Sequence, residues 1–256
     1  MKKIINVTLW IAALAGLSVL VGFIESEHKK ITCKQLLVSI DYMDSEPLIS
    51  EGELNAVIYE AFDSLVGKKL SDIHSVEIEN FINEIDFVES AEVFSTINGT
   101  MKIKVQQRTP ILRVINGTNQ NFYMDRKGRL LPVKTGRSTR VLIASGHIAQ
   151  KYSDTLDASI PGSNQTLHEL YNLSTFIKKD DFLNAQIEQV FVTKEGEYEL
   201  VPKVGRHLIV FGDISNMENK FSKLKVFYKQ GMKKSGWKKY KKINLKYKDQ
   251  VVCEKK

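Results

Sequence analysis

The sequence predicts an α+β chain in three parts. These are an N-terminal transmembrane helix, a module of order strand-helix-helix-strand-strand, and a mainly antiparallel β domain with two helices. Three observations predict it. Residues 4–24 are uncharged and largely apolar. Residues 31–107 pass from period-2 alternation to helical periodicity and back to alternation. Residues 108–256 are mostly short β-rich runs punctuated by turn residues. Hydrophobic residues make up 43% of the 256, with 12 Phe and 9 Tyr, which excludes a disordered chain.

The first element, Ile4 to Ile24, holds only Asn6, Thr8 and Ser18 as polar residues. About 20 apolar residues cross a bilayer core, whereas a signal-peptide apolar region spans about 7–15. The small-x-small pattern of a cleavage site occurs at Ala13-Leu14-Ala15, in mid-segment, and is absent around Val21 to Ser26. The segment therefore reads as a retained anchor. A lipoprotein is disfavoured, because Cys33 follows Lys30-Ile31-Thr32 rather than small apolar residues. Lys2 and Lys3 precede the helix and Glu25 and Glu27 follow it. The positive-inside rule then puts tail 1–3 in the cytoplasm and the bulk outside.

In the module 31–107, Ile31 to Tyr42 is a strand with Leu36, Val38 and Ile40 alternating against Gln35, Leu37 and Ser39. Ser50-Glu51-Gly52-Glu53 fits a capping box. The helix behind it sets Leu54, Val57, Ile58, Ala61, Phe62 and Leu65 on one stripe, and Gly67 stops it. A shorter helix follows near Ser75 to Ile85, with Ile78, Phe81, Ile82 and Ile85 on one face. Phe87 to Ile97 is a strand. Asn98-Gly99 is a two-residue hairpin turn in which both positions accept positive φ. The return strand alternates Met101, Ile103 and Val105 against Lys102, Lys104 and Gln106.

In 108–256, short strands fall at Arg113 to Ile115, Asn121 to Met124, Arg129 to Pro132 and Arg140 to Ala144, with a turn at Asp125 to Gly128. A helix spans Gln165 to Lys179. Ala185 to Thr193 and Glu197 to Pro202 form a hairpin, and Arg206 to Phe211 follows. A second helix, Asn216 to Gln230, turns Met217, Phe221, Leu224 and Tyr228 inward. The last strand is Ile243 to Val252.

Charge is uneven. The chain carries +7, yet Lys220 to Lys256 holds 14 Lys against Asp249 and Glu254. Such a block could meet nucleic acid, an anionic membrane or an acidic protein, or form a solvated face. The external compartment argues against nucleic acid. Cys33 and Cys253 are too few for a disulfide framework and are expected not to pair. His28, His74, His147, His168 and His207 lack metal-ligand spacing, and Asp180-Asp181 reads as a solvated turn. No cofactor is expected. The N-x-S/T sites at Asn98, Asn116, Asn164 and Asn172 matter only in a eukaryotic secretory route.

Several motifs, in order, make the chain resemble the FtsQ/DivIB bacterial cell-division family. After the anchor come Gly67-Lys68-Lys69-Leu70-Ser71-Asp72-Ile73 and Phe87-Val88-Glu89-Ser90-Ala91-Glu92-Val93. Next are Asn98-Gly99-Thr100-Met101-Lys102-Ile103-Lys104-Val105 with Gln107-Arg108-Thr109-Pro110, and Tyr123-Met124-Asp125-Arg126-Lys127-Gly128. The set closes with Ile243-Asn244-Leu245-Lys246-Tyr247 and Asp249-Gln250-Val251-Val252-Cys253, most similar to the Bacteroidetes branch. The resemblance implies a POTRA domain at 31–107 and a β domain at 108–256. It also implies a non-enzymatic divisome scaffold in the bacterial inner membrane, at the division septum. The implied partners are FtsB/FtsL-like bitopic proteins, bound by strand addition near the C-terminus, and other divisome members. Lys246 stands where the family commonly has Arg.

The candidate docking strand sets Ile243, Leu245, Tyr247 and Val251 on one face. Asn244, Lys246, Lys248 and Gln250 lie on the other, and Val252 ends it. Lysines on an edge strand can serve only to keep it from aggregating. The same edge can accept a partner strand through main-chain hydrogen bonds. The residues alone leave both readings open; the resemblance favours docking. The alternatives are a membrane-tethered POTRA chaperone module for envelope protein assembly, or an envelope peptidoglycan enzyme. Ser222/Lys225 and Ser235/Lys238 match S-x-x-K, but the K-T-G at Lys134 precedes both and no S-x-N occurs.

Overall fold

The computed structural model describes Trp10 and residues 14–18, 31–43, 45–232, 236, 237 and 239–256. Most of the expected anchor, Ile4 to Ile24, lies outside them. Among the described residues no helix is long and apolar enough to cross a membrane. The fold is mixed α+β, with two compact units. Of the described residues from 31 onward, one unit takes 31–43 and 49–107, the other 45–48 and 108–256.

In the first unit the order is β1 (Gln35–Asp41), α1 (Glu51–Phe62), α2 (Ser75–Asn83), β2 (Val88–Ser95) and β3 (Thr100–Gln107), with a short 3-10 turn at Leu70–Asp72. β3 is central: it pairs parallel with β1, Val38 opposite Ile103, and antiparallel with β2, Val93 opposite Ile103. The expected alternation sends Ile40, Met101, Ile103 and Val105 inward against Leu54, Ile58, Ile78 and Ile82 from the helices.

The capping box is formed. Ser50 Oγ accepts from the Glu53 amide at 3.3 Å, and Glu53 Oε2 accepts from the Ser50 amide at 2.8 Å. The helix ends earlier than Gly67, at Phe62, where Asp63 takes φ 57° and its amide caps Tyr59 O. Ala61 is exposed, and Val57, Phe62 and Ile85 are half-buried rather than central. The hairpin after β2 also differs. Thr96 to Gly99 forms a four-residue turn closed by Gly99 N–H to Thr96 O at 3.0 Å, and only Gly99 has positive φ. A Cβ on Gly99 would sit 2.6 Å from Thr32 O, so side-chain-free backbone is required there.

The two edges of this sheet are treated differently. Two amides of β2 are taken by α2: Ala91 N–H donates to Asn83 Oδ1 at 2.8 Å and Val93 N–H to Glu79 Oε2 at 3.0 Å. Ahead of β1, Ile31 to Cys33 is laddered with Gly67 to Leu70, through Cys33 N–H to Lys68 O and Leu70 N–H to Ile31 O.

The second unit is built on one nine-stranded sheet, in the order β12-β11-β10-β9-β8-β7-β4-β5-β6. The strands are β4 (Pro110–Ile115), β5 (Asn121–Asp125), β6 (Leu130–Pro132), β7 (Leu142–Gly146), β8 (Ile187–Val192), β9 (Tyr198–Pro202), β10 (Leu208–Gly212), β11 (Tyr240–Asn244) and β12 (Val252–Lys255). The helices are α3 (Gln165–Lys179), α4 (Asp181–Gln186) and α5 (Met217–Val226), the last running into a wider π-type turn, Phe227–Gly231.

Most neighbouring pairs in the sheet are antiparallel, as expected, but β4–β7, β7–β8 and β10–β11 run parallel. Parallel neighbours need a crossover, usually a helix. α3 and α4 supply it between β7 and β8, and α5 between β10 and β11. α4 corrects the reading of Asp180-Asp181 as a solvated turn. Asp180 Oδ1 accepts the Leu183 amide at 3.0 Å and caps that helix. Leu167, Leu170, Leu173 and Ile177 of α3 and Phe221 and Leu224 of α5 pack on Val190, Leu200, Ile209 and Ile243.

Cys33 and Cys253 are both free thiols and belong to different units.

Candidate partner-docking edge

The C-terminal segment departs from the single strand Ile243 to Val252. It is a hairpin, in which β11 and β12 flank a connection of residues 245–251. Asp249 reverses the chain with φ 60°, a conformation that Asp tolerates better than most residues.

β11 lies parallel to β10, Ile209 opposite Ile243, and the ladder is extended by Leu245 N–H to Val210 O at 2.9 Å. Backbone groups alternate along a strand. Leu245 and Ile243 therefore face β10, and Asn244 and Lys242 face β12. This makes Asn244–Val252 and Lys242–Glu254 the hydrogen-bonded pairs of the hairpin, consistent with the observed register. A bulge at Lys241 precedes them, and Lys256 N–H reaches Lys239 O at 3.1 Å. Val252, Glu254 and Lys256 thus turn their backbone groups inward. Cys253 and Lys255 turn theirs out, where among the described residues no further strand of the sheet follows.

The other end of the sheet is protected. β6 has three residues and ends in Pro132, which has no N–H. Arg129 bridges Asp157, and Ala158 N–H donates to Gly128 O at 2.8 Å, covering its start.

The expected docking residues are divided by this geometry. Ile243 and Leu245 are fully buried in the core. Asn244 Oδ1 accepts the Lys246 amide at 2.9 Å, so Lys246 offers no donor to an edge ladder. Its ammonium grips Glu197 at 2.5 and 2.8 Å, and its stem lies on Gly212, where a Cβ would meet Lys246 Cγ at 2.8 Å. Lys223 Nζ holds the connection from below, donating to Leu245 O at 3.2 Å and Tyr247 O at 2.5 Å. Tyr247, 49% exposed, and Val252, 43% exposed, leave apolar surface uncovered. Lys248 and Gln250 are exposed, and Val251 is half-buried. Cys253 and Lys255 escaped sequence reasoning. The Ile243/Leu245 alternation hid the turn, and Lys248-Asp249 was the signal available for it.

Lys225, partner of Ser222 in S-x-x-K, has its ammonium 2.6 Å from Asp180 Oδ2. That hydrogen bond, with those from backbone amides, holds the Asp180 carboxyl below its ordinary range. Ser235 and Lys238 lie outside the described residues. Lys134 to Gly136 falls in a turn. No group of three metal-ligand side chains occurs among the described residues.

Comparison with known families places two matches along the chain. Residues 31–106 match the POTRA-like domain. Residues 109–254, more than half of the chain, match the family described as FtsQ/DivIB, C-terminal related. The chain belongs to that family. FtsQ/DivIB membership implies a scaffold role in cell division, at the septum, among protein partners of the division machinery. FtsQ/DivIB and POTRA-like families are generally non-enzymatic. A comparison with curated proteins finds no match.

Proposed function

We propose that this FtsQ/DivIB-family chain is a non-enzymatic divisome scaffold that links early and late division proteins. It takes a strand from an FtsB/FtsL-like bitopic partner onto β12. Residues 4–24 anchor it in the inner membrane, and the two units lie on the periplasmic side. The observation that carries this reading is the outward pair of Cys253 and Lys255 backbone groups at the end of a nine-stranded sheet whose other end is blunted by Pro132. Strand addition supplies affinity through such groups and choice of partner through neighbouring side chains. Tyr247 and Val252 offer the apolar contacts. The lysines around them favour an acidic partner and make binding weaken with salt.

Proline is the sharpest probe. At Lys255 it removes an outward donor and spares the β11–β12 ladder. Lys255→Pro is expected to abolish capture of the FtsB/FtsL-like partner in a pull-down, with circular dichroism unchanged. A folded Lys255→Pro chain that captures partner at the parental level would rule the edge out.

A further inference from the structure

The second unit carries a basic cleft that neither the core nor the docking edge uses. It has a volume of about 650 Å³ and is bordered by residues of β4, β7 and β8, within the usual range for ligand sites. Its charged lining is Arg113, Arg140, Lys178 and Lys203 against one carboxylate, Glu188. Arg140 and Lys178 are exposed and, among the described residues, have no ion-pair partner. The Lys203 ammonium rests on the Asn184 carbonyl at 3.0 Å. Arg113 is half-buried over the Tyr123 ring at 5.9 Å. Its Nε is buried without an acceptor, and the Thr139 hydroxyl beside the cleft is likewise unpartnered. Apolar wall comes from Ile111 and Ile143. Past Thr139 and Arg140 the cleft continues into a second hollow of about 490 Å³ beside Pro110.

Neighbouring cations repel, and buried donors without acceptors are costly, so a ligand rich in acceptors relieves both. We propose that this cleft binds an acidic peptide segment, with a carboxylate on Arg113 and Arg140 and an adjoining apolar side chain on the Ile111–Ile143 wall. A bilayer surface is flat and would meet exposed Arg140 and Lys178 but not half-buried Arg113. Inorganic phosphate would leave the apolar wall uncovered. Two joined hollows suit an extended chain. Three strands separate β8 from β12 in the sheet, so the cleft and the docking edge are testable apart.

The test is fluorescence anisotropy with the full chain in detergent and a labelled peptide of alternating Glu and Leu. The parent is expected to bind it, and Arg140→Glu/Lys178→Glu, which alters only exposed side chains, to bind roughly ten-fold more weakly. Lys151→Glu/Lys194→Glu makes the same charge change at exposed positions elsewhere and is expected to bind as the parent does. Equal weakening by both double variants would mean only general attraction and would overturn the site. So would undiminished binding by Arg140→Glu/Lys178→Glu. Displacement of the peptide by inorganic phosphate would reassign the cleft to a free anion, and displacement by phosphatidylglycerol vesicles would reassign it to a lipid headgroup. Either result overturns the peptide.

Discussion

His207 is 3% exposed, with Nε2 at 2.7 Å from Tyr228 Oη and Nδ1 lacking a partner. Trp237 stacks on the ring at 6.4 Å. Burial, aided by the positive charge of Lys256, pushes the imidazole below its usual 6.5. The folded protein therefore keeps His207 neutral at a pH where the unfolded chain protonates it. Stability from this group is complete above about pH 6.5 and is lost as pH falls toward the folded value, by at most about 1.4 kcal/mol per pH unit. Unfolding of the second unit, followed by Trp237 fluorescence, is expected to become easier from pH 7 to 5, and His207→Phe to flatten that slope. Equal slopes in parent and variant would refute the assignment. In the first unit Ile58 is 1% exposed between helix and sheet. Ile58→Ala is expected to cost about 2–5 kcal/mol in denaturant unfolding. An unchanged midpoint would mean that this helix face bears no load.

Elements were legible where pattern and chemistry agree. The capping box at Ser50, the alternation of β3 and the helix Gln165–Lys179 are local signals, and the chain obeys them. What escaped depends on partners outside the element itself. Lys220 reads as one more lysine of the basic block, yet it is buried, bonded to Asp213 at 2.8 Å and set over the Phe211 ring at 5.0 Å. The same bond, with one from Ser215, lowers the Asp213 carboxyl to about 2. The parallel pairs of the large sheet were hidden because period-2 alternation does not encode strand direction. The closed β2 edge was hidden for a similar reason: Glu79 and Asn83 look like ordinary outward residues of α2, although they accept the Val93 and Ala91 amides. Leaving such a donor unpaired costs about 1–3 kcal/mol. Glu79→Ala is expected to lose stability in this range and Glu79→Gln, which keeps an acceptor, to lose less. Identical losses would show that the carboxylate does not close the edge.

At the scale of the whole molecule, the proposed docking surface differs from the strand that the sequence pointed to. The sequence pointed to Ile243 to Val252 as one strand, but Ile243 and Leu245 are core, and the outward backbone belongs to Cys253 and Lys255. The proposed strand capture requires that edge and its partner on one side of a membrane, so anchoring and orientation matter to the proposal as much as the edge. Residues 4–24 carry no charge, Lys2 and Lys3 stand before them, and Glu25 and Glu27 stand after. Spanning length and positive-inside bias predict a retained segment with both units across the membrane. Lys194 is exposed in the turn between β8 and β9 and makes a clean reporter once Cys253, half-buried, is replaced by serine. In spheroplasts, a membrane-impermeant maleimide is expected to label Lys194→Cys without lysis and Lys2→Cys only after it. Sequencing of the mature N-terminus is expected to begin at or next to Met1. Labelling of Lys194→Cys that requires lysis would reverse the orientation, and a mature chain starting after Ile24 would replace the anchor with a cleaved signal. In either case strand capture at β12 would have to be explained without a tether holding both partners at one membrane face.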